Sequence, residues 1–204
     1  MKIDLHIHSK YSFDCKLEVS LILKYAKKIG LDGVAIVDHD TIMGGKKGKE
    51  LSKDIEVIVG AEIKTDRGEV IGYFIEEEIE SREFTEVCEE IREKGGIVVL
   101  PHPFDAFRRG IKPTSADLPY IDGVEVLNSR CILKRFNDKA LKFAKQHNLI
   151  ATAGSDAHTL EEIGRAGIEV ECLEDIRRGN LKIFGKKTSV IDLTKSKVRK
   201  FFIF

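Results

Sequence analysis

Lys2-Ile3-Asp4-Leu5-His6-Ile7-His8 is the stretch on which the fold turns. It alternates apolar and polar side chains with the period of a β-strand, and two of its polar positions are histidines. In an extended strand, residues two apart share a face, so His6 and His8 point the same way, as two ligands of one cation must. Asp14 follows in the next loop.

Working outward, similar short β-branched runs recur at 33–38, 55–63, 69–75, 97–100, 123–127, 150–153 and 168–171. Helical spacing fills several gaps. Residues 18–29 carry Leu21, Ile22, Tyr25, Ala26 and Ile29 at three- and four-residue intervals, with Gly30 placed to cap the end. Residues 84–94 end in Gly95-Gly96, and residues 136–147 in Asn148. Alternating strands and helices predict an α/β protein with parallel strands, either a barrel or an open doubly wound sheet. The tight Asp66-Arg67-Gly68 turn predicts one interrupting hairpin. Gly44, Gly45 and Gly48 match no phosphate-binding loop and read as a mobile turn after the second strand.

The remaining histidines follow the strands. Asp38-His39-Asp40 closes the second, Glu62 the third, Pro101-His102-Pro103 follows 97–100, and Ser155-Asp156-Ala157-His158 follows 150–153, while only His147 falls on a helix. In a parallel barrel the C-terminal strand ends meet on one face, so these residues are expected in one pocket. Imidazoles mixed with carboxylates suit zinc, manganese or iron, and the scattered Cys15, Cys88, Cys131 and Cys172 offer no thiolate cluster. Such a ligand set exceeds the needs of one ion, which points to a multinuclear, water-activating site.

Composition narrows the classes. With 204 residues, 34 basic and 34 acidic side chains and 42% hydrophobic residues, the chain reads as one domain, 1–204, without a generally basic surface. No long apolar run and no disulfide framework appear, so a cytoplasmic protein without membrane contact is expected. Residues 186–204 form a basic, Phe-rich tail with six basic residues against Asp192. It reads as a terminal packing element or as a contact for nucleic acid or a neighbouring subunit.

Taken in order, Asp4-Leu5-His6-Ile7-His8-Ser9 with Tyr11-Ser12-Phe13-Asp14, Val37-Asp38-His39-Asp40, Gly60-Ala61-Glu62, Pro101-His102-Pro103 and Gly154-Ser155-Asp156-Ala157-His158 resemble the PHP (polymerase and histidinol phosphatase) superfamily. The resemblance implies a distorted (β/α)7 TIM-like barrel with a site for two to three divalent metals (Mn, Zn or Fe) at the strand C-termini. It implies a first ion on His6, His8, Glu62 and Asp156, a second shared by Glu62 with His102, and a third on Asp14, His39 and His158. Many members place a histidine where this chain has Asn128, which makes that amide the nearest candidate to complete the second position. The Glu125-x-x-Asn128-x-Arg130 pattern is similar to small stand-alone PHP phosphoesterases.

The expected activity is therefore hydrolysis of a phosphate ester in a nucleotide, an oligonucleotide end or a sugar phosphate, by metal-activated hydroxide. His8, Asp156 and His158 are the candidates at the reacting centre, and Arg130, Arg108 and Arg109 are candidates for binding phosphate. Two other classes remain: an amidohydrolase-like enzyme, and a non-catalytic metal-stabilised module associated with nucleic acid or a polymerase. The loops 67–83 and 104–120 are expected to select the substrate.

Overall fold

Strand β1 (Lys2–Ile7) is buried from its second residue onward and forms the seam of the structure, a computed structural model that describes residues 1–186. It pairs in parallel with β2 (Gly33–His39), which pairs in parallel with β3 (Glu56–Lys64). A hairpin then reverses the chain, so β4 (Glu69–Tyr73) runs antiparallel to both β3 and β5 (Ile97–Leu100). Parallel order resumes through β6 (Gly123–Asn128) and β7 (Ile150–Gly154). Past the end of β7, Ala157 forms a parallel bridge to Ile7, and His8 N–H donates to Ala157 O at 3.0 Å. That contact nearly closes the sheet into a barrel.

The α/β barrel expectation therefore stands, with a departure from seven repeated strand–helix units. Among the described residues nine strands form the sheet, β4 is reversed, and an antiparallel pair, β8 (Ala166–Glu169) and β9 (Lys182–Gly185), extends it from the edge of β1. The edge of β1 is thus divided, pairing with β8 at Lys2 and Ile3 and with Ala157 at Ile7.

Packing follows the alternation of side chains. Ile3, Leu5, Ala35, Val37, Ile58, Ile71, Tyr73, Val99 and Ala153 fill the inside, while Val70, Val98, Leu100 and Val124 pack outward on helices α3 (Phe84–Glu93) and α4 (Lys134–His147). Each large aliphatic side chain buried in this way contributes about 1.5–3 kcal/mol. Helix α1 (Val19–Lys28) covers Ile7, Val34 and Ile36. Gly30 (φ 79°), Gly95 (φ 74°) and Asn148 (φ 55°) end α1, α3 and α4 in the left-handed conformation that their positions predicted.

The expected mobile turn after β2 is instead helix α2 (Met43–Leu51), and its glycines are a packing device. A Cβ on Gly45 would lie 3.0 Å from Val59 Cα, and one on Gly48 3.0 Å from Ile36 and Val57. Bare backbone lets the helix lie directly on β2 and β3, a purpose that leaves no apolar periodicity to read. A short helix α5 (Glu174–Arg178) buries Ile176 beneath the barrel. Among the described residues no helix is long and apolar enough to cross a membrane. The basic tail beyond Lys186 lies outside the described residues.

Candidate metal centre

The strand ends deliver the histidines to one place. His6 Nε2 and His8 Nε2 face each other at 3.2 Å, both fully buried, and Glu62 Oε2 lies 3.5 and 3.4 Å from them. Asp156 carboxylate oxygens stand 4.0 Å from His6 and 3.6 Å from His8. His39 Nδ1 is 3.4 Å from Glu62 Oε2 and His102 Nε2 is 3.0 Å from Glu62 Oε1, so the two oxygens of one carboxylate face different imidazoles. His158 Nε2 meets Asp14 Oδ2 at 2.8 Å.

Neighbouring acceptors settle which imidazole nitrogens carry protons. Glu125 Oε1 lies 3.1 Å from His6 Nδ1, and an ionised carboxylate only accepts, so Nδ1 carries a proton and Nε2 is the nitrogen that bears the lone pair whenever the ring is neutral. Ser12 does the same for His8. Its hydroxyl donates to Asp38 Oδ1 (3.0 Å) and accepts from His39 N–H (2.9 Å), leaving its second lone pair for His8 Nδ1–H at 3.0 Å. Asp38 is held in turn by Ser9 N–H (2.6 Å) and Ser9 Oγ (2.7 Å).

Two inward-facing imidazole nitrogens 3.2 Å apart, beside carboxylates, describe a site for positive charge, filled by a proton on His6 or by a cation in its place. Glu62 Oε2 and Asp156 Oδ1 are buried and accept no hydrogen bond, which is costly unless a positive charge meets them. Among the described residues ligand atoms gather in three groups: His6, His8 and Asp156; His8, Asp14, His39 and His158; and Glu62, Glu69 and His102. The residue types present fit divalent metals.

Electrostatics are strongly biased. Burial alone lowers the His6 pKa, but Asp156, Glu125 and Glu62 overcome it and hold the imidazole well above its ordinary value. Burial also works against ionised Asp156, yet Arg108, His6, Arg130 and His158 keep its carboxyl well below the usual range. Burial, then His8, pushes His158 down to about 3. Backbone strain collects at the same strand ends: Asp40 (φ 56°), His102 (φ 31°) and Asp156 (φ 58°) all occupy the left-handed side.

Of the expected phosphate binders, Arg108 pairs with Asp156 Oδ2, and Arg130 reaches Asp156 O at 3.2 Å as well as the His158 ring. Arg109 is not brought in; its side chain is exposed, and its carbonyl accepts from Glu69 N–H at 3.0 Å. Asn128 lies in the cluster with both ends of its amide engaged. Its nitrogen donates to Glu125 Oε2 (2.8 Å) and Asp156 Oδ2 (2.9 Å), and its oxygen accepts from Arg130 N–H (2.9 Å) and Arg108 Nη1 (3.3 Å). Asn137 of α4 anchors the Asn128 backbone at both its N–H and its carbonyl.

Sequence reasoning assigned no place at the site to Glu125, Ser12 or Glu69. Glu125 and Asn128, three apart, belong on opposite faces of a regular strand, but a register shift between Glu125 and Leu127 lets their side chains meet. Ser12 was signalled only by its place before Asp14. Glu69 carries no motif and arrives through the hairpin.

Residues 134–180, from α4 through α5, match the family described as PHP-associated. Two proteins of Methanocaldococcus jannaschii align with the chain. Uncharacterized protein MJ1587 is 43% identical over 142 residues, 63% of this chain and 82% of that one. Uncharacterized protein MJ0417 is 38% identical over 177 residues, 83% and 70% of the two. Among solved structures, a two-domain Bacteroides vulgatus protein containing a predicted PHP-like metal-dependent phosphoesterase superposes with a TM-score of 0.76 at 18% identity, covering 98% of this chain and 69% of that one. The lesion-specific endonuclease of Pyrococcus furiosus superposes with a TM-score of 0.65 at 20% identity, covering 89% and 57%. At these identities the superpositions establish a shared fold.

Proposed function

The chain belongs to the PHP superfamily, and on that premise we propose that it is a metal-dependent phosphoesterase. The observation that carries this reading is the facing pair of imidazole nitrogens, His6 Nε2 and His8 Nε2, beside the unsatisfied oxygens of Glu62 and Asp156. His6, His8, Asp14, His39, Glu62, His102, Asp156 and His158 hold divalent ions in this reading. Those ions supply Lewis acidity, which makes water nucleophilic at neutral pH and offsets charge on phosphate.

The chain's own groups do the rest. Glu125 and the Ser12–Asp38 pair lock His6 and His8 in the tautomer that offers Nε2. Arg108 and Arg130 flank Asp156 and present guanidinium groups to an incoming phosphate, whose oxygens suit their fork. Phe13, 86% exposed, stacks 4.9 Å from the His39 ring and lines the approach from solvent. The substrate classes in view are a nucleotide, an oligonucleotide end and a sugar phosphate.

The test is hydrolysis of an aryl phosphate and a panel of nucleotides and sugar phosphates by the metal-loaded chain, beside aryl esters and amides. Phosphate release lost in His8→Ala and Asp156→Ala supports the reading. Release only from esters or amides replaces it with an amidohydrolase-like activity, and an inert, metal-loaded chain favours a non-catalytic module.

A further inference from the structure

We propose that Glu69 completes the second cation position, with Glu62 and His102, and that Asn128 is not a ligand there; this rests on the metal-dependent reading above. His102 Nε2 is 3.0 Å from Glu62 Oε1 and 3.6 Å from Glu69 Oε2, and the ligand atoms of the three residues lie within 4.8 Å of one another. His102 is fully buried and Glu62 is 1% exposed, with its second oxygen accepting no hydrogen bond. Glu69 Oε2 therefore closes a small, enclosed set of one imidazole nitrogen and two carboxylate oxygens.

The Asn128 amide has no oxygen to spare. Its nitrogen must face Glu125 and Asp156, because carboxylates accept and cannot donate, and turning the amide over would set oxygen against oxygen at 2.8 and 2.9 Å. Its oxygen is consequently directed at the Arg108 guanidinium and the Arg130 N–H, which are donors. A cation would have to displace an arginine to reach it.

Glu69 comes to this place through the reversed strand. The turn after Lys64 begins β4 at Glu69, opposite Lys64, and Arg109 O holds the Glu69 N–H at 3.0 Å. The position so formed is rich in hard oxygen donors, which suits manganese or magnesium better than a softer ion.

The experiment is titration of the metal-free 204-residue chain with Mn2+, counting free ion by its electron-spin resonance. Glu69→Gln is expected to lose one bound equivalent, or to bind it at least tenfold more weakly, with the remaining equivalents unchanged, while Asn128→Ala keeps the wild-type count. Circular dichroism confirms that each variant is folded, and Glu69→Asp replaces Glu69→Gln if the latter is not. A Glu69 variant titrating as wild type overturns the inference, and loss of an equivalent in Asn128→Ala alone assigns the position to the amide. A wild-type chain that binds no Mn2+ overturns this inference and the metal-dependent reading together. Intact metal counts without phosphate release overturn only the phosphoesterase reading.

Discussion

Glu125 and His6, 119 residues apart in the chain, meet at 3.1 Å with both side chains buried. The contact joins β1 to β6 across the barrel and fixes the His6 proton on Nδ1. The other Glu125 oxygen takes the backbone N–H of His102 at 2.8 Å, so one carboxylate positions two candidate ligands. Glu125→Gln is expected to weaken metal binding by about 10- to 100-fold, the usual cost of losing an outer partner to a ligating imidazole. Mn2+ titration checks this, and wild-type affinity in the variant would show that the His6 tautomer does not depend on Glu125.

Gly44 is a packing position with a functional neighbour. A Cβ there would lie 2.4 Å from Ser9 Oγ and still closer to Asp38 Oδ2, the carboxylate that holds Ser12. Gly44→Ala should destabilise the chain by about 1–3 kcal/mol through overpacking and weaken metal binding as well. Gly30→Ala, at φ 79° with open space around it, should cost roughly 1–2 kcal/mol and leave metal binding unchanged. Thermal unfolding and Mn2+ titration of the two variants separate the cases.

The His158 pKa, pushed down to about 3, predicts a pH dependence with a definite sign. Its folded value lies below the ordinary imidazole value, so the native state binds fewer protons than the unfolded chain in this window. The contribution is fully present above about pH 6.5 and is lost as pH falls toward 3. The metal-free chain should lose melting temperature over that window, and His158→Gln should lose less. Identical slopes for the two chains would refute the assignment.

Arg108→Ala should lower kcat/KM on a phosphate ester by roughly 10- to 100-fold, the equivalent of about 1.5–3 kcal/mol for a charge-assisted hydrogen bond. Lysine at the same position should recover only part of the loss, since it lacks the planar fork. Steady-state kinetics of the alanine and lysine variants is the measurement, and full activity in either would remove Arg108 from phosphate binding.

Much of this was legible from local pattern. Strands were marked by β-branched runs, helix ends by Gly30, Gly95 and Asn148, and the histidines by their positions after strands. Each is a short-range signal, set by side-chain alternation or by one residue's backbone preference. Helix α2 escaped because Gly44, Gly45 and Gly48 do their work by lacking side chains, which reads as a turn until the sheet beneath them is seen.

Local chemistry in the chain thus sufficed for an α/β protein with parallel strands and for a set of imidazoles and carboxylates at the strand ends, while the choice of a barrel over an open sheet came from the family resemblance. Which lone pairs turn inward, and which carboxylates reach them, depended on contacts between distant residues. Glu125 reaches His6 through a strand irregularity, Glu69 approaches His102 through a reversed strand, and Asn128 is turned toward the arginines by two carboxylates. Strand register and three-dimensional hydrogen bonding set those relationships, and neither leaves a trace in the spacing of residues along the chain.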